Sequence, residues 1–327
     1  MPLMRTSMWL FPDRPVEDLV RAAQLMEEAG LDGIWLGDEG VARDPWTALT
    51  AIGRATTRLS LGVAISNPYL RHPALTATVA ATVAEATGRQ VHLGLGPGGR
   101  IALAPVGVDL VHPYARMRDG LRLARAVLNA RPTDGFEPGA FGWFQPIVDL
   151  WVGARGRRIS GLASQLADGF FCAVNKNSVE RTLTWARMHG PTDVALSVRV
   201  VLDEAQREAI RPWVPYGLLD APPGTCEAAG ISRADAERAW DLTSRGDLAG
   251  AAALISDQVL ASTMVEGPPA RASAELADLA RRHDVQEITA SVDRYDLLRN
   301  VERVAPVILA AATDAVAERP AARASEG

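Results

Sequence analysis

The stretch Leu61 to Pro73, LGVAISNPYLRHP, runs from an apolar segment into a polar, proline-punctuated turn and then into the start of a new helix. Residues 59–65 have the length and content of a buried strand: Leu, Val and Ile with small residues between them and no clean polar alternation. Ser66-Asn67-Pro68 ends it, because the residue before a proline is pushed out of the helical region and Ser and Asn bond back onto local backbone. Pro73 suits the first turn of a helix over 74–87, where its missing N–H is no loss. The strand therefore opens at its carboxyl end into a loop carrying Asn67, Tyr69, Arg71 and His72. In parallel-strand folds, ligands bind at that end.

Working outward, strand, helix and strand alternate. Residues 5–10 form a short apolar segment followed by Pro12 and Asp13, and 16–29 has helical spacing, with Leu19, Val20, Ala23, Leu25 and Met26 on one side. Gly30 closes that helix, and 33–37 (GIWLG) is the next buried strand. Eight such strands are predicted, at 5–10, 33–37, 59–65, 91–95, 148–153, 169–173, 195–202 and 287–292. Eight strands with helices between them point to a closed (β/α)8 TIM barrel, with an open doubly wound sheet as the alternative. The expected organisation is one barrel domain over 1–312, a mostly helical insertion at about 203–283, and a flexible tail over 313–327 rich in Ala, Arg, Glu and Ser. A second long connection combines 96–114 with 131–146.

The chain has 327 residues, long enough for one large barrel. Apolar residues make up 48% and charged ones 22%, a composition that supports a packed core. A net charge of −5 argues against a nucleic-acid surface. Cys172 and Cys226 show no zinc-ligand spacing, so no metal site is expected and a reduced compartment is. Residues 1–10 are too short and broken for a signal peptide, and no apolar run reaches the length of a membrane span. A soluble cytoplasmic protein acting on a small molecule is expected.

Three further strand ends carry chemistry. The second runs into Asp38-Glu39 and then Arg43-Asp44-Pro45-Trp46, where Asp44 is placed to cap a helix beginning at Pro45. Two adjacent carboxylates resist joint ionisation, which can push one up and make it a general acid; loop hydrogen bonding and solvation are the plainer reading. The fourth strand runs into GLGPGGR, Gly94 to Arg100, whose glycines let backbone approach a ligand. It lacks the Lys and Ser/Thr of a P-loop. The fifth runs into GARGRRISGLASQLADG, Gly153 to Gly169. There a helix beginning after Gly156, flanked by Arg155, Arg157 and Arg158, offers amides and positive charge to a phosphate. Three arginines at a helix start oppose its macrodipole unless an anion is present.

Taken in order, DGIWLGDEGVARDPW, GVAISNPYLRHPALTATVAAT, VHLGLGPGGR and WVGARGRRISGLASQLADGF resemble the bacterial luciferase-like family, specifically its branch of coenzyme F420-dependent, methylenetetrahydromethanopterin reductase-like oxidoreductases. The likeness covers residues 5–190 well and 270–309 loosely. It implies a (β/α)8 barrel with insertions, a homodimer, and a deazaflavin or flavin at the carboxyl ends of the strands. Carried onto this chain, the third strand would end in a bulge with a non-prolyl cis peptide at Ala64-Ile65, next to Ser66-Asn67, behind the deazaflavin ring. Ala154, Arg155, Gly156 and Arg157 would hold the coenzyme's phosphate, and Gly94, Gly96, Gly98 and Gly99 would line the site near the ring. Relatives often have Asp-His where this chain has Asp38-Glu39, and glycine-proline where it has Gly156-Arg157. Glu39 would then substitute as acid, so the proton-handling candidates are Asp38, Glu39 and His72, the last also suited to hydrogen bonding at its helix start.

The implied activity is hydride transfer between coenzyme F420 and an organic substrate with a C=N, iminium or activated C=C bond. The alternatives are an FMN-dependent monooxygenase of the same fold using O2, and a barrel that binds a ligand without turnover. Trp9 and Trp35 read as core, and Trp213, Tyr216, Trp240 and Met264 as residues that line a pocket or pack the insertion.

Overall fold

The computed structural model describes residues 4–133, 136–137, 147–173, 175–292 and 295–317. Its sheet is closed and parallel. In spatial order the strands are β6 (Gly169–Ala173), β5 (Val148–Val152), β4 (Val91–Leu95), β3 (Ser60–Ser66), β2 (Gly33–Leu36), β1 (Arg5–Leu10), β9 (Glu287–Ser291) and β7 (Asp193–Val201), and β7 pairs back onto β6. All eight expected strands are present and the open sheet is excluded. One more strand, β8 (Met264–Glu266), pairs with Arg199 to Val201 at the carboxyl end of β7, outside the ring.

Bulk and absence of bulk alternate across the barrel interior. Trp35, Trp151 and Phe171 form a buried aromatic cluster, and the His92 ring stacks on Trp35 at 5.1 Å. Trp35 is in register with Gly62 on the next strand, and Trp151 with Gly169. A Cβ on Gly62 would fall 2.4 Å from the Trp35 ring, and one on Gly169 would fall 2.5 Å from the Trp151 ring. An indole thus fills the space that a neighbouring glycine leaves, so that bulky side chains fit inside a narrow barrel.

The outer helices follow from the expected signals. In Val16–Ala29 the buried residues are Leu19, Ala22, Ala23 and Met26, and Gly30 ends the helix with φ at 104°. Asp44 caps Pro45–Ala55, its carboxylate accepting from the Thr47 amide at 2.7 Å. Pro73 opens Pro73–Thr87.

Between β7 and β8 a run of helices from Glu204–Ile210 to Asp257–Thr263 packs a core of its own, including Ile210, Leu218, Cys226, Ala236, Ile255 and Leu260. The insertion expected at 203–283 extends less far than that as a packing unit. Helix Pro269–Arg282 buries Ala272, Leu276 and Ala280 in the barrel cluster, because its apolar residues recur at the spacing that faces the sheet. At the other end, Leu297–Ala317 continues past the expected start of the tail, with Ala311, Ala312 and Ala315 buried; 318–327 lie outside the described residues, as does most of the 131–146 connection. Among the described residues, no helix is long and apolar enough to cross a membrane.

Candidate functional site

The carboxyl ends of the barrel strands surround a cavity of about 550 Å³, roofed by the insertion. Its barrel wall includes Trp9, Asp38, Glu39, Ala64, Ile65 and Asn67. Gly98, Gly99 and Ala154 to Gly156 continue that wall, and the insertion contributes Trp213, Tyr216, Asp220 and Met264.

The third strand ends as expected. The β3–β4 register shifts between Val63 and Ser66, and Ala64-Ile65 is a non-prolyl cis peptide. The Ala64 carbonyl accepts from the Trp9 indole N–H at 2.6 Å, so Trp9 closes the cavity floor as well as packing. Asn67 Oδ1 accepts from the amides of Tyr69 and Leu70 at 3.1 and 2.9 Å, holding the turn. Ser66 is buried beneath it.

Gly94 and Gly96, expected beside the ring, stand elsewhere. A Cβ at Gly94 would meet the Val63 carbonyl oxygen at 2.4 Å, and one at Gly96 would meet the Gly153 carbonyl oxygen and Ile65 Cδ1, each at 2.4 Å. These glycines are pressed against the bulge and the Ile65 side chain, and Gly98 and Gly99 are the ones on the cavity. The division reflects strand geometry: Gly94 lies within β4 and Gly96 just after it, where backbone already approaches backbone.

Past Gly156 the expected single helix is two short ones, Arg157–Ser160 and Ala163–Leu166, divided at Gly161, where a Cβ would fall 2.6 Å from the Met188 sulfur. Ala154, Arg155 and Gly156 line the cavity, and the Arg155 Nε donates to the Ala173 carbonyl at 3.1 Å. Arg157 is exposed and off the lining, on the outer side of a short helix whose Ile159 faces the cavity. Arg158 stacks over Tyr114 at 4.3 Å.

The acidic pair has separated into two roles. Asp38 accepts from the Ser66 hydroxyl at 2.7 Å and from Arg71 Nε at 2.9 Å, and Arg71 also bonds Asp44. Burial works to raise the Asp44 carboxyl, but the Thr47 amide and hydroxyl together with Arg71 bring it below its usual range. Glu39 instead accepts from the hydroxyl of Tyr216, far away in sequence. Burial pushes the Glu39 carboxyl up; the Tyr216 hydroxyl and Arg155 oppose that, and Asp38 and Asp220 add to it. His72 does not join them. It is exposed at the N-cap position of Pro73–Thr87, makes no side-chain cap bond and is off the cavity lining, because Pro73 directs the chain away at that point.

Of the four large residues expected there, Trp213, Tyr216 and Met264 line the cavity, and Trp240 packs behind Tyr216 with ring centroids 5.7 Å apart. Sequence reading missed Asp220, Ser197, Arg199 and Ser291, which also line it. The last three alternate with core positions along β7 and β9, the only local signal they carry. Cys172 is buried, and burial pushes its thiol up to about 12, so it offers no nucleophile.

Residues 3–287 match the model of the luciferase-like monooxygenase family. The chain belongs to that family. A 5,10-methylenetetrahydromethanopterin reductase from Archaeoglobus fulgidus is 24% identical over 94% of this chain and 99% of its own length. An F420-dependent glucose-6-phosphate dehydrogenase from Mycolicibacterium gilvum is 28% identical over 62% of this chain and 70% of its own. The solved structure of the coenzyme F420-dependent tetrahydromethanopterin reductase from Methanopyrus kandleri superposes with a TM-score of 0.80, at 20% identity, over 94% of this chain and 99% of that one. At that identity the superposition speaks for the fold.

Proposed function

We propose that this luciferase-like barrel is a coenzyme F420-dependent oxidoreductase that passes hydride between the deazaflavin and an organic substrate with a C=N, iminium or activated C=C bond. The observation that carries this reading is the meeting in one cavity of the cis Ala64-Ile65 bulge, Gly98-Gly99 and Ala154 to Gly156, the stretches that bear the family resemblance. The residues suit the coenzyme. The cavity has the volume of a cofactor site. Gly156 faces open space, a Cβ there meeting nothing within 4 Å, so its backbone is accessible beside the Arg155 guanidinium for an anionic group.

When bound, the deazaflavin supplies a two-electron hydride donor or acceptor that reacts poorly with oxygen. The chain's own residues do the rest. Ala64, Ile65 and Trp9 would give the ring a rigid apolar backing, and Arg155 with Gly156 would hold the phosphate. Arg71 and Ser66 commit Asp38 to fixing the loop after β2, which leaves Glu39, facing the cavity, to handle the substrate's proton. Trp213, Tyr216 and Met264 of the insertion exclude water and shape the substrate space. Homodimer formation and a cytoplasmic location belong to this proposal as expectations from the family likeness.

The test is fluorescence titration of the purified protein with oxidised F420 and, separately, FMN, comparing Arg155→Ala with Arg157→Ala. F420 binding that weakens in Arg155→Ala and much less in Arg157→Ala supports the reading. Preference for FMN would redirect it to an oxygen-using monooxygenase, and binding of neither would leave a barrel without a coenzyme.

A further inference from the structure

We propose that Tyr216, carried by the insertion, is the positioning residue for Glu39, its hydroxyl holding the Glu39 carboxyl toward the cavity as proton donor to the substrate. This rests on the oxidoreductase reading above and adds the residue that makes the acid usable.

The geometry restricts Glu39 from three sides. Its side chain folds back over Gly37, where a Cβ would stand 2.9 Å from Glu39 Cγ and 2.8 Å from the Trp9 ring, so only glycine leaves room for that path. The Tyr216 hydroxyl donates to Glu39 Oε2. Trp240 packs against the Tyr216 ring from behind and fixes where that hydroxyl points. Both Glu39 and Tyr216 line the cavity, so the pair faces the space where a substrate must lie.

The charged and titratable groups around Glu39 come from each neighbouring element: Asp38 on its own loop, Arg155 after β5, and Tyr216 and Asp220 on the insertion. Burial, then the Glu39 carboxyl, push the Tyr216 phenol well above its usual range, so it remains a donor throughout the working pH range. A hydroxyl donated to a carboxylate favours the charged form. Tyr216 therefore limits how far burial raises Glu39, keeping an acid that can also release its proton.

With the deazaflavin bound as two-electron donor, reduction of the substrate's double bond would leave an electron pair on the atom next to the reduced carbon. For a neutral C=N or an activated C=C bond, that atom would take the proton from Glu39; an iminium nitrogen is neutralised by the pair alone and needs none. Glu39 is left as carboxylate, stabilised by the Tyr216 hydroxyl and the Arg155 charge, and is reprotonated from solvent. Where Glu39 protonates it, the substrate would gain two electrons and two protons in all, one proton and both electrons as the hydride and the other proton from Glu39, and the coenzyme would be oxidised by two electrons.

The test is a carboxyl titration by carbon-13 NMR on the coenzyme-free protein, with Glu39→Gln identifying the Glu39 signal. In Tyr216→Phe the midpoint of that signal rises, because the donor to the charged form is gone and the burial remains. An unchanged midpoint in a folded Tyr216→Phe overturns the proposal. Should Tyr216→Phe fail to fold, replacement of tyrosine by 3-fluorotyrosine keeps the ring and makes the phenol a stronger donor: the midpoint then falls, and no movement overturns the proposal. A residue that merely packed the insertion would alter thermal unfolding without moving this titration. The titration needs no coenzyme, so its failure is separate from a failure of F420 to bind.

Discussion

Gly96→Ala separates a glycine that serves the fold from one that serves a ligand. The added Cβ would lie 2.4 Å from both the Gly153 carbonyl oxygen and Ile65 Cδ1. Carbon contacts are comfortable at roughly 3.5 Å or more, so about 1 Å must be found on each side. Ile65 can find it, because Cδ1 ends a flexible side chain bordering the cavity. Gly153 cannot, because its oxygen is backbone and its amide is tied to the Leu95 carbonyl at 2.9 Å. The strand ends must therefore separate, at a cost of about 1 to 3 kcal/mol. With unfolding entropy near ~2.1 cal/mol/K per residue, the whole chain changes by ~0.7 kcal/mol per degree, so Tm falls by roughly 1.5 to 4 °C if unfolding is one transition. Gly156→Ala is the control: nothing lies within 4 Å of its Cβ and its φ of −105° suits any residue, so the fold should gain about 0.4 to 1 kcal/mol through the unfolded chain. Calorimetry on both variants, with Ile65→Ala alone and combined with Gly96→Ala, reads the difference. A parental Tm in Gly96→Ala, or full relief of its loss by Ile65→Ala, would refute the view that backbone approach fixes this glycine.

Glu39→Gln tests the half-buried carboxyl on the cavity wall. Its folded-state pKa is raised, so its contribution to stability is fully present below the unfolded carboxylate value of 4.5 and is lost as pH rises through the higher folded value. The variant's stability curve should be flatter than the parent's from the ordinary carboxylate range upward, with a relative gain at neutral pH; chemical denaturation across that range checks it, and parallel curves would refute it. Arg71→Ala removes a guanidinium that Asp38 and Asp44 share, leaving the buried Asp38 with its Ser66 bond as its side-chain partner among the described residues. Arg71 is about one-third exposed, so the loss is screened below that of a fully buried pair and is expected at about 1 to 3 kcal/mol by urea unfolding. Arg71→Lys should restore only part of it, because one ammonium cannot span both carboxylates in the planar fork.

The barrel was legible because its strands are short apolar runs stopped by Pro, Gly and Asn, and its helices keep their apolar residues at helical spacing. β8 was not, since three residues carry no period, and it exists because Met264 finds Arg199 on an already formed edge. The ends of the strands were legible as a site, but the assignment within it was not. GLGPGGR reads as one glycine loop, yet Gly96 is occupied by the Ile65 side chain and the Gly153 carbonyl while Gly98 and Gly99 face the cavity. That difference is set by packing between strands. The same holds for Arg155 and Arg157: local charge makes them equivalent, and the helix that begins at Arg157 turns one of them out.

Glu39 and Tyr216 extend the point to function. They stand 177 residues apart in sequence, and no local pattern joins them. Asp220 repeats the arrangement, with its Oδ2 2.0 Å from where a Cβ on Gly99 would stand. The insertion thus closes onto the loops after β2 and β4 through side chains that the barrel alone would leave facing solvent. Two walls with different origins follow from this. The wall built by β3, β4 and β5 has its shape fixed by the barrel, where a change costs stability, and it suits a coenzyme that does not vary. The opposite wall, carrying Trp213, Tyr216 and Met264, rests on an insertion with its own core and can change without disturbing the barrel. Substrate choice should therefore follow substitutions in that insertion, and coenzyme choice those at the strand ends.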